Sequence, residues 1–262
     1  MGAYPLVKRS GLLGTSLGRW SFRSAYFLYK RYIEDDLRDL LLAFPAMVRG
    51  GDVLDIGANL GYTATVLAEA IEPGRRIYAF EPEAFNFEIL QQVALQPKFK
   101  DKIIALPYAV GAENGSVPLW MNPGHHADHR IATQKFHSEH PDFRGTAVDM
   151  VRIDSFLESR PGNIAFIKID VQGYELAVCQ GMQETLRRNP GISVVLEFMP
   201  SLMREMGFDP SQLIDFFVAR DFKIYLVHPR GKLTQGLPPV KNDSDYFDLL
   251  FSRRPIPCDR EP

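Results

Sequence analysis

The 262-residue sequence predicts an α/β fold. Its core is a mainly parallel sheet of seven strands, with helices on both faces and an antiparallel strand at one edge. Three observations predict this. Short continuous apolar runs, the mark of strands buried on both faces, alternate with longer segments of helical periodicity. Several of those runs end in turns rich in glycine or acid that restart as helices. The last two apolar runs are joined by a loop without a helix, which suits an antiparallel hairpin but not a parallel crossover.

The elements follow in order. Residues 1–20 read as an irregular arm. Residues 22–44 read as helix, because Tyr26, Ile33, Leu37, Leu40, Leu41 and Phe44 recur near helical spacing. Pro45 and the Gly50-Gly51 pair close that region. "DVLDIG" (52–57) is the first strand, and the helix over 62–70 stops at Glu72-Pro73-Gly74. "RIYAFEP" (76–82) is the second strand, followed by helix over 83–95. "KIIALPYAVG" (102–111) holds the third strand and "NIAFIKID" (163–170) the fourth, with a helix over 174–188. "ISVVLEF" (192–198) is the fifth. Asp209 is placed to cap a helix that has Pro210 at its first position. "FKIYLV" (222–227) and "YFDLLFS" (246–252) complete the sheet. The expected division is an arm and helical region over 1–45 and one large domain over 46–262, with an inserted loop at about 121–145 after "VPLW".

Composition narrows the function. Hydrophobic residues make up 45% and charged residues 24%, as in an ordinary globular domain. The net charge of −2 supplies no basic field for nucleic acid. Cys179 and Cys258 form neither a disulfide framework nor a zinc motif, so a cytoplasmic location is expected. The first 20 residues do not read as a signal peptide, and no apolar run is long enough to span a membrane.

In such sheets the ligand lies beyond the carboxyl ends of the strands. The residues there include Asp55 to Gly61, Glu81, Tyr108 to Gly111, Asp170 to Glu175, and Glu197. In "VLDIGANLGYTA" (53–64), Gly57 and Gly61 permit a sharp turn and close backbone approach. The helix starting near Tyr62 aims free N–H groups at an anion. Asp55 at the strand end is awkward for a pyrophosphate but suits a cation, so a zwitterion satisfies both. Glu81, about 20 residues after Gly61, can accept hydrogen bonds from a ribose. The ligand expected is a nucleoside with an amino-acid tail, and S-adenosylmethionine fits. NAD fits less well, because Asn59 stands where the dinucleotide fingerprint wants its middle glycine. Either acid alone could instead cap a helix or meet a surface lysine.

Four segments, "VLDIGANLGYTA", "YAFEPE", "FIKIDVQGYELAVCQGM" and "VVLEFMP", together resemble the FkbM family of class I S-adenosylmethionine-dependent methyltransferases. The match in order and spacing spans roughly 30–252. The resemblance implies the Rossmann-like seven-stranded methyltransferase sheet. It also implies O-methyl transfer to a hydroxyl of a small molecule or glycosyl group. By position it implies that Asp55, Gly57, Asn59 and Gly61 hold the methionine part, with Tyr62 beside them, and Glu81 the ribose. The adenine slot falls near Pro82, Glu83, Ala109 and Val110. One departure is Gln172, where family members commonly have Glu.

The acceptor must be aligned and lose its proton. Asp170 at the end of the fourth strand is the first candidate base, with a structural role in the Gly173 turn as the alternative. Lys168 reads as the partner of a nearby acid. Glu175 reads as a helix-starting residue. Glu197 reads equally as a substrate contact or a structural cap. Five of the six histidines fall in "GHHADHRIATQKFHSEHP" (124–141). There His129 is the candidate catalytic histidine, Asp128 its orienting partner and Arg130 a grip for an anionic group. The same stretch can also be a plain surface loop, and it does not commit the chain to a metal. The aromatic run Tyr26, Phe27, Tyr29 and Tyr32 reads as a packed helix or dimer contact, or else as a wall of the acceptor pocket. The rival functions are a nucleic-acid or other N-methyltransferase, a nicotinamide-dependent oxidoreductase and a catalytically silent cofactor-binding scaffold.

Overall fold

The computed structural model describes residues 15–33, 36–122, 129–140, 145–160, 162–240, 242 and 245–258. Twelve strands are found among them, in chain order. They are β1 (Asp52–Ile56), β2 (Ile77–Phe80), β3 (Ile103–Leu106), β4 (Ala109–Val110), β5 (Gly115–Trp120) and β6 (Arg130–Ile131). After them come β7 (Thr146–Val151), β8 (Ile164–Ile169), β9 (Ser193–Phe198), β10 (Lys223–His228), β11 (Lys232–Gln235) and β12 (Phe247–Ser252).

The main sheet runs β11-β10-β12-β9-β8-β1-β2-β3. β1 is parallel to β2 and β8, β2 to β3, and β8 to β9. β12 runs antiparallel to both β9 and β10, so it is inserted inside the sheet. The antiparallel edge strand is β11, hairpinned to β10. All seven expected strands are present, and β11 makes eight.

Alternation along the strands sends side chains to two cores. Leu54, Ile56, Phe80, Ile167, Ile169 and Leu196 face one, against Leu176, Leu186, Met203 and Phe217. Val53, Ile77, Ala79, Phe166 and Val195 face the other, against Leu40, Ala64, Leu67 and Leu90. This two-sided burial is why the strands read as continuous apolar runs.

Several expectations are corrected. The run over 102–111 is two strands: β3 ends at Leu106, and β4 joins a second sheet of order β4-β7-β5-β6. Pro107 lies between them and has no N–H for a ladder. The helix expected over 174–188 is two helices, Glu175–Gln180 and Gln183–Arg188. At the break, a Cβ on Gly181 would lie 2.0 Å from the Gly111 carbonyl oxygen. The helix expected over 22–44 is Ser16–Ile33 and Asp36–Ala43. The helices Tyr62–Ala70, Ala84–Ala94 and Pro210–Val218 fall where expected, the last capped by Asp209, whose side chain accepts from Ser211 N–H. The inserted segment contributes β6 and the helix Gln134–Glu139, capped by Thr133.

β1 and β8 meet at their carboxyl ends. Asp170 N–H donates to the Ile56 carbonyl at 2.9 Å. Gly57 has φ +82°, and a Cβ there would lie 1.8 Å from the Asp170 carbonyl oxygen. The space beside Gly57 is thus filled by the protein's own backbone, in addition to any ligand approach the glycine permits. Gly74 has φ +80°, but a Cβ there would meet nothing within 4 Å, so it carries the left-handed conformation without the contact. Gly74→Ala should therefore cost only about 1–2 kcal/mol of backbone strain. Gly57→Ala should cost several times more or abolish folding, and thermal unfolding of the two variants side by side checks the difference.

Candidate active site

The loop leaving β1 turns through Gly57 (φ +82°), Asn59 (φ +50°) and Gly61 (φ +89°). Asn59 holds this conformation by accepting the Leu60 N–H on its own Oδ1 at 2.7 Å, a use of the short amide side chain that favours left-handed backbone. The helix Tyr62–Ala70 then starts with no side-chain cap, unlike Ala84–Ala94, whose first turn Glu83 caps through Asn86 N–H.

Glu81 joins this loop to the next. Its Oε2 accepts Asn59 N–H at 2.8 Å and its Oε1 accepts Glu83 N–H at 2.9 Å. The carboxylate is therefore a backbone clamp, and it also lines the cleft. That cleft is bordered by Gly57, Asn59, Glu81, Pro82, Ala109 and Val110 from the loops after β1, β2 and β3. Asn86 and Tyr108 also line it, as do Leu119, His129 and Ile131 on or beside β5 and β6, and Asp170, Val171 and Gln172 after β8. Of the residues singled out from sequence, Gly57, Asn59, Glu81, Pro82, Ala109, His129 and Asp170 line this cleft, and Glu197 does not. Asp55, buried in β1, and Gly61 are not in the cleft lining. Tyr62 opens its helix, and its ring packs edge-on against Phe27 at 5.4 Å. Tyr26, Phe27, Tyr29 and Tyr32 are not in the cleft lining. Asn86, Leu119 and Ile131 are not candidates from sequence. Tyr108 falls within the 108–111 turn expected at the strand ends, whereas Leu119 and Ile131 reach the cleft through a sheet the sequence does not reveal.

The turn after β8 holds the densest polar network. Gln172 (φ +55°) donates from Nε2 to Asp170 Oδ1 and to Glu197 Oε2, each at 2.8 Å. One amide thereby bridges two carboxylates that would otherwise repel. Glu in its place would add a third. Asp170 Oδ2 has no protein partner among the described residues. The turn itself is held by Glu175, whose Oε1 accepts Gly173 N–H at 3.1 Å and Val171 N–H at 3.3 Å. Glu175 therefore performs the backbone role considered for Asp170. Lys168 pairs with Asp248 at 3.4 Å, the acid partner expected of it.

His129 accepts Asn122 N–H on Nδ1 at 3.1 Å. That bond favours the neutral ring with its proton on Nε2, which makes Nε2 the donor of the ring. Asp128 lies outside the described residues. Arg130 is committed to Glu205 at 2.9 Å and lies over the Trp120 ring at 5.5 Å, so its guanidinium serves the wall of the cleft.

The electrostatics are dominated by buried acids. Burial pushes the Asp55 carboxyl up to about 7, with Lys168 opposing and Asp170 adding to the rise. Burial pushes Glu81 up to about 8 against the two backbone hydrogen bonds that favour its charged form. Burial likewise takes Glu175 to about 7. The charge of Asp170, then burial, takes Glu197 to about 8. Burial alone would lower Lys168, but Asp248, Asp170 and Glu197 raise it overall. Asp55 Oδ2 and Glu175 Oε2 are buried without a hydrogen-bond partner among the described residues.

An open sheet with a left-handed glycine loop after its first strand, an acid after its second and a polar cleft across both defines a nucleoside-binding enzyme of the class I methyltransferase type. The Methyltransferase FkbM domain profile matches residues 55–224. The chain therefore belongs to the FkbM family of S-adenosylmethionine-dependent methyltransferases. Among solved structures, it is similar to an O-methyltransferase from Bacillus cereus in complex with SAH. Identity there is 12%, coverage 89% of this chain and 88% of that one, and the TM-score 0.51. It is also similar to the O-methyltransferase TomG from Streptomyces achromogenes, at 14% identity, coverage of 83% and 78%, and a TM-score of 0.47. No curated protein matches. At these identities the structural likeness concerns the fold.

The raised carboxyls have a sign that can be measured. Each binds its proton more tightly folded than unfolded, so its contribution to stability is fully present below the unfolded value near 4.5. It is lost as pH rises through about 7 to 8. The ligand-free protein should therefore lose thermal stability between about pH 5 and 8, as followed by calorimetry. Glu81→Gln should flatten that slope.

Proposed function

We propose that the chain is an O-methyltransferase that acts on a hydroxyl of a small molecule or glycosyl group. The observation that carries this reading is the Gln172 bridge, which holds Asp170 at the cleft with one carboxylate oxygen occupied and the other without a protein partner among the described residues. A hydroxyl acceptor needs a positioned base; general-base assistance is worth on the order of 10²–10⁴-fold for such groups.

The residues fit the cofactor. Glu81 retains acceptor capacity on both oxygens beyond its two backbone bonds, enough for a ribose diol. Asp55, buried with an unpartnered oxygen among the described residues, suits an ammonium. The uncapped start of Tyr62–Ala70 suits a carboxylate. Pro82, Ala109 and Val110 supply an apolar slot for adenine. When bound, S-adenosylmethionine supplies a methyl group on a cationic sulfur that is already an activated leaving group. Acid-rich walls favour that charge over a neutral or anionic nucleotide.

Asp170 takes the acceptor proton on Oδ2. The charge of Asp170, and then burial, raise the proton affinity of Glu197 beside it. Gln172 fixes the separation of the two. His129, whose Nδ1 accepts Asn122 N–H, lines the cleft. It orients the acceptor and leaves the base role to Asp170. Leu119 and Ile131 close the apolar side of the mouth and exclude water there.

Incubating the protein and methyl-labelled cofactor with a metabolite extract, then reading the label by mass spectrometry, tests the reading. Label on an oxygen supports it, label on a ring or amine nitrogen replaces it, and no label despite tight cofactor binding points to a silent scaffold. Asp170→Asn should lower kcat by about 10²–10⁴-fold with cofactor affinity nearly unchanged. Glu81→Gln should instead weaken cofactor binding by at least about tenfold, as one hydroxyl acceptor becomes a donor. Isothermal titration against turnover separates the two effects.

A further inference from the structure

One lysine and three acids share a face of the main sheet near the carboxyl ends of its parallel strands. Val53, Phe166, Val195 and Leu250 belong to the core on that face. Asp55, Lys168, Glu197 and Asp248 each stand two residues from one of them, so their side chains leave the sheet on the same side. The strands that carry them are neighbours, in the order β12-β9-β8-β1. Lys168 on β8 is the register partner of Asp55 on β1, and both are buried. Opposite charges at cross-strand positions lie side by side and attract. Yet among the described residues no ion pair joins these two, and Asp55 Oδ2 is buried without a hydrogen-bond partner. Lys168 reaches the other way instead. It crosses β9 and meets Asp248 Oδ1 on β12 at 3.4 Å.

This choice of partner runs against stability. A buried acid without a counter-ion is costly, and Asp248, with a side chain 35% exposed, needs the lysine less than Asp55 does. The other acids within reach are engaged: Glu197 Oε2 and Asp170 Oδ1 each accept from the Gln172 amide. What the arrangement secures is an unneutralised Asp55 directly before Ile56 and Gly57, which line the cleft. We propose that Asp248 is a positioning residue for the cofactor: it draws Lys168 away from Asp55 and so leaves the Asp55 charge to the ammonium of the cofactor's amino-acid tail. This rests on the placement of that ammonium at Asp55 given above. Asp248 is not in the cleft lining and acts only through Lys168.

The test is isothermal titration of the full chain with S-adenosylhomocysteine and with 5′-methylthioadenosine, which keeps the nucleoside but lacks the ammonium and carboxylate. It is run at about pH 8, above the value of about 7 to which burial takes Asp55. In Asp248→Ala, Lys168 turns back to Asp55 and competes with the ammonium. S-adenosylhomocysteine should bind at least about fivefold more weakly, with 5′-methylthioadenosine unchanged. Adding Lys168→Met to Asp248→Ala removes the competitor and should restore S-adenosylhomocysteine to within about twofold of the parent. A purely structural ion pair would give the opposite result, since the second change would deepen the loss. Unchanged S-adenosylhomocysteine affinity in Asp248→Ala overturns the proposal. So does an equal loss for both ligands, or a double variant that folds with the parent's thermal midpoint and binds no better than Asp248→Ala. If the double variant does not fold, the contrast between the two ligands in Asp248→Ala still decides. A parent protein that binds neither ligand is a different outcome: it ends the cofactor reading, and this inference with it.

Discussion

The contact between the ends of β1 and β8 is the constraint on which the site depends. A single missing methyl group at Gly57 lets the Asp170 carbonyl lie against the loop, and Asp170 N–H closes the approach on Ile56. That contact fixes the spacing between the loop expected to carry the cofactor and the turn that carries Asp170, Gln172 and Glu175. Reactive groups on separate loops would drift by more than methyl transfer tolerates. Here the two loops are parts of one backbone junction, braced by two strands buried on both faces.

The acids around that junction are costly to hold charged in the absence of a cation. Asp55, Glu81, Glu175 and Glu197 all have raised proton affinity, and among the described residues Lys168 is the buried base that sits with them. Raised carboxyls grouped at a cleft are a mark of function more than of stability. The arrangement resembles a socket tuned for positive charge: its cost in the free protein falls when a cation arrives. Gln172 fits the same logic, since a neutral donor between Asp170 and Glu197 limits the acid density where a further carboxylate would raise it.

Much of this is legible in the sequence because buried parallel strands write themselves as apolar runs, and glycine loops between strand and helix are local. Asp55, Gly57, Asn59, Glu81 and Asp170 can be read from segments of a few residues, and each is where a local rule puts it. What escapes such reading depends on distant partners. The split of 102–111 comes from Pro107 and from the pairing of Ala109 with Met150 on β7. β7 itself, "TAVDMV", is short, half-exposed and interrupted by an acid. The bridge from Gln172 to Glu197 spans 25 residues, and in the sequence Gln172 reads only as the loss of a charge. Likewise, nothing local in "DHR" tells that Arg130 meets Glu205. The helix Ser16–Ile33 is visible as an aromatic run, but which of its faces are covered is not.

The wall that carries His129 belongs to the small second sheet. It is tied across to the helix Pro200–Glu205 by Arg130 to Glu205 and by Lys135 Nζ to the Arg204 carbonyl. Neither of these ties passes through the loops after β1 and β2. The two halves of the reaction are therefore built on separate supports. The proposed cofactor loops belong to the sheet's central junction, while the proposed acceptor wall is fastened at its rim. A change at the rim can therefore alter that wall and leave the Gly57–Asp170 contact in place.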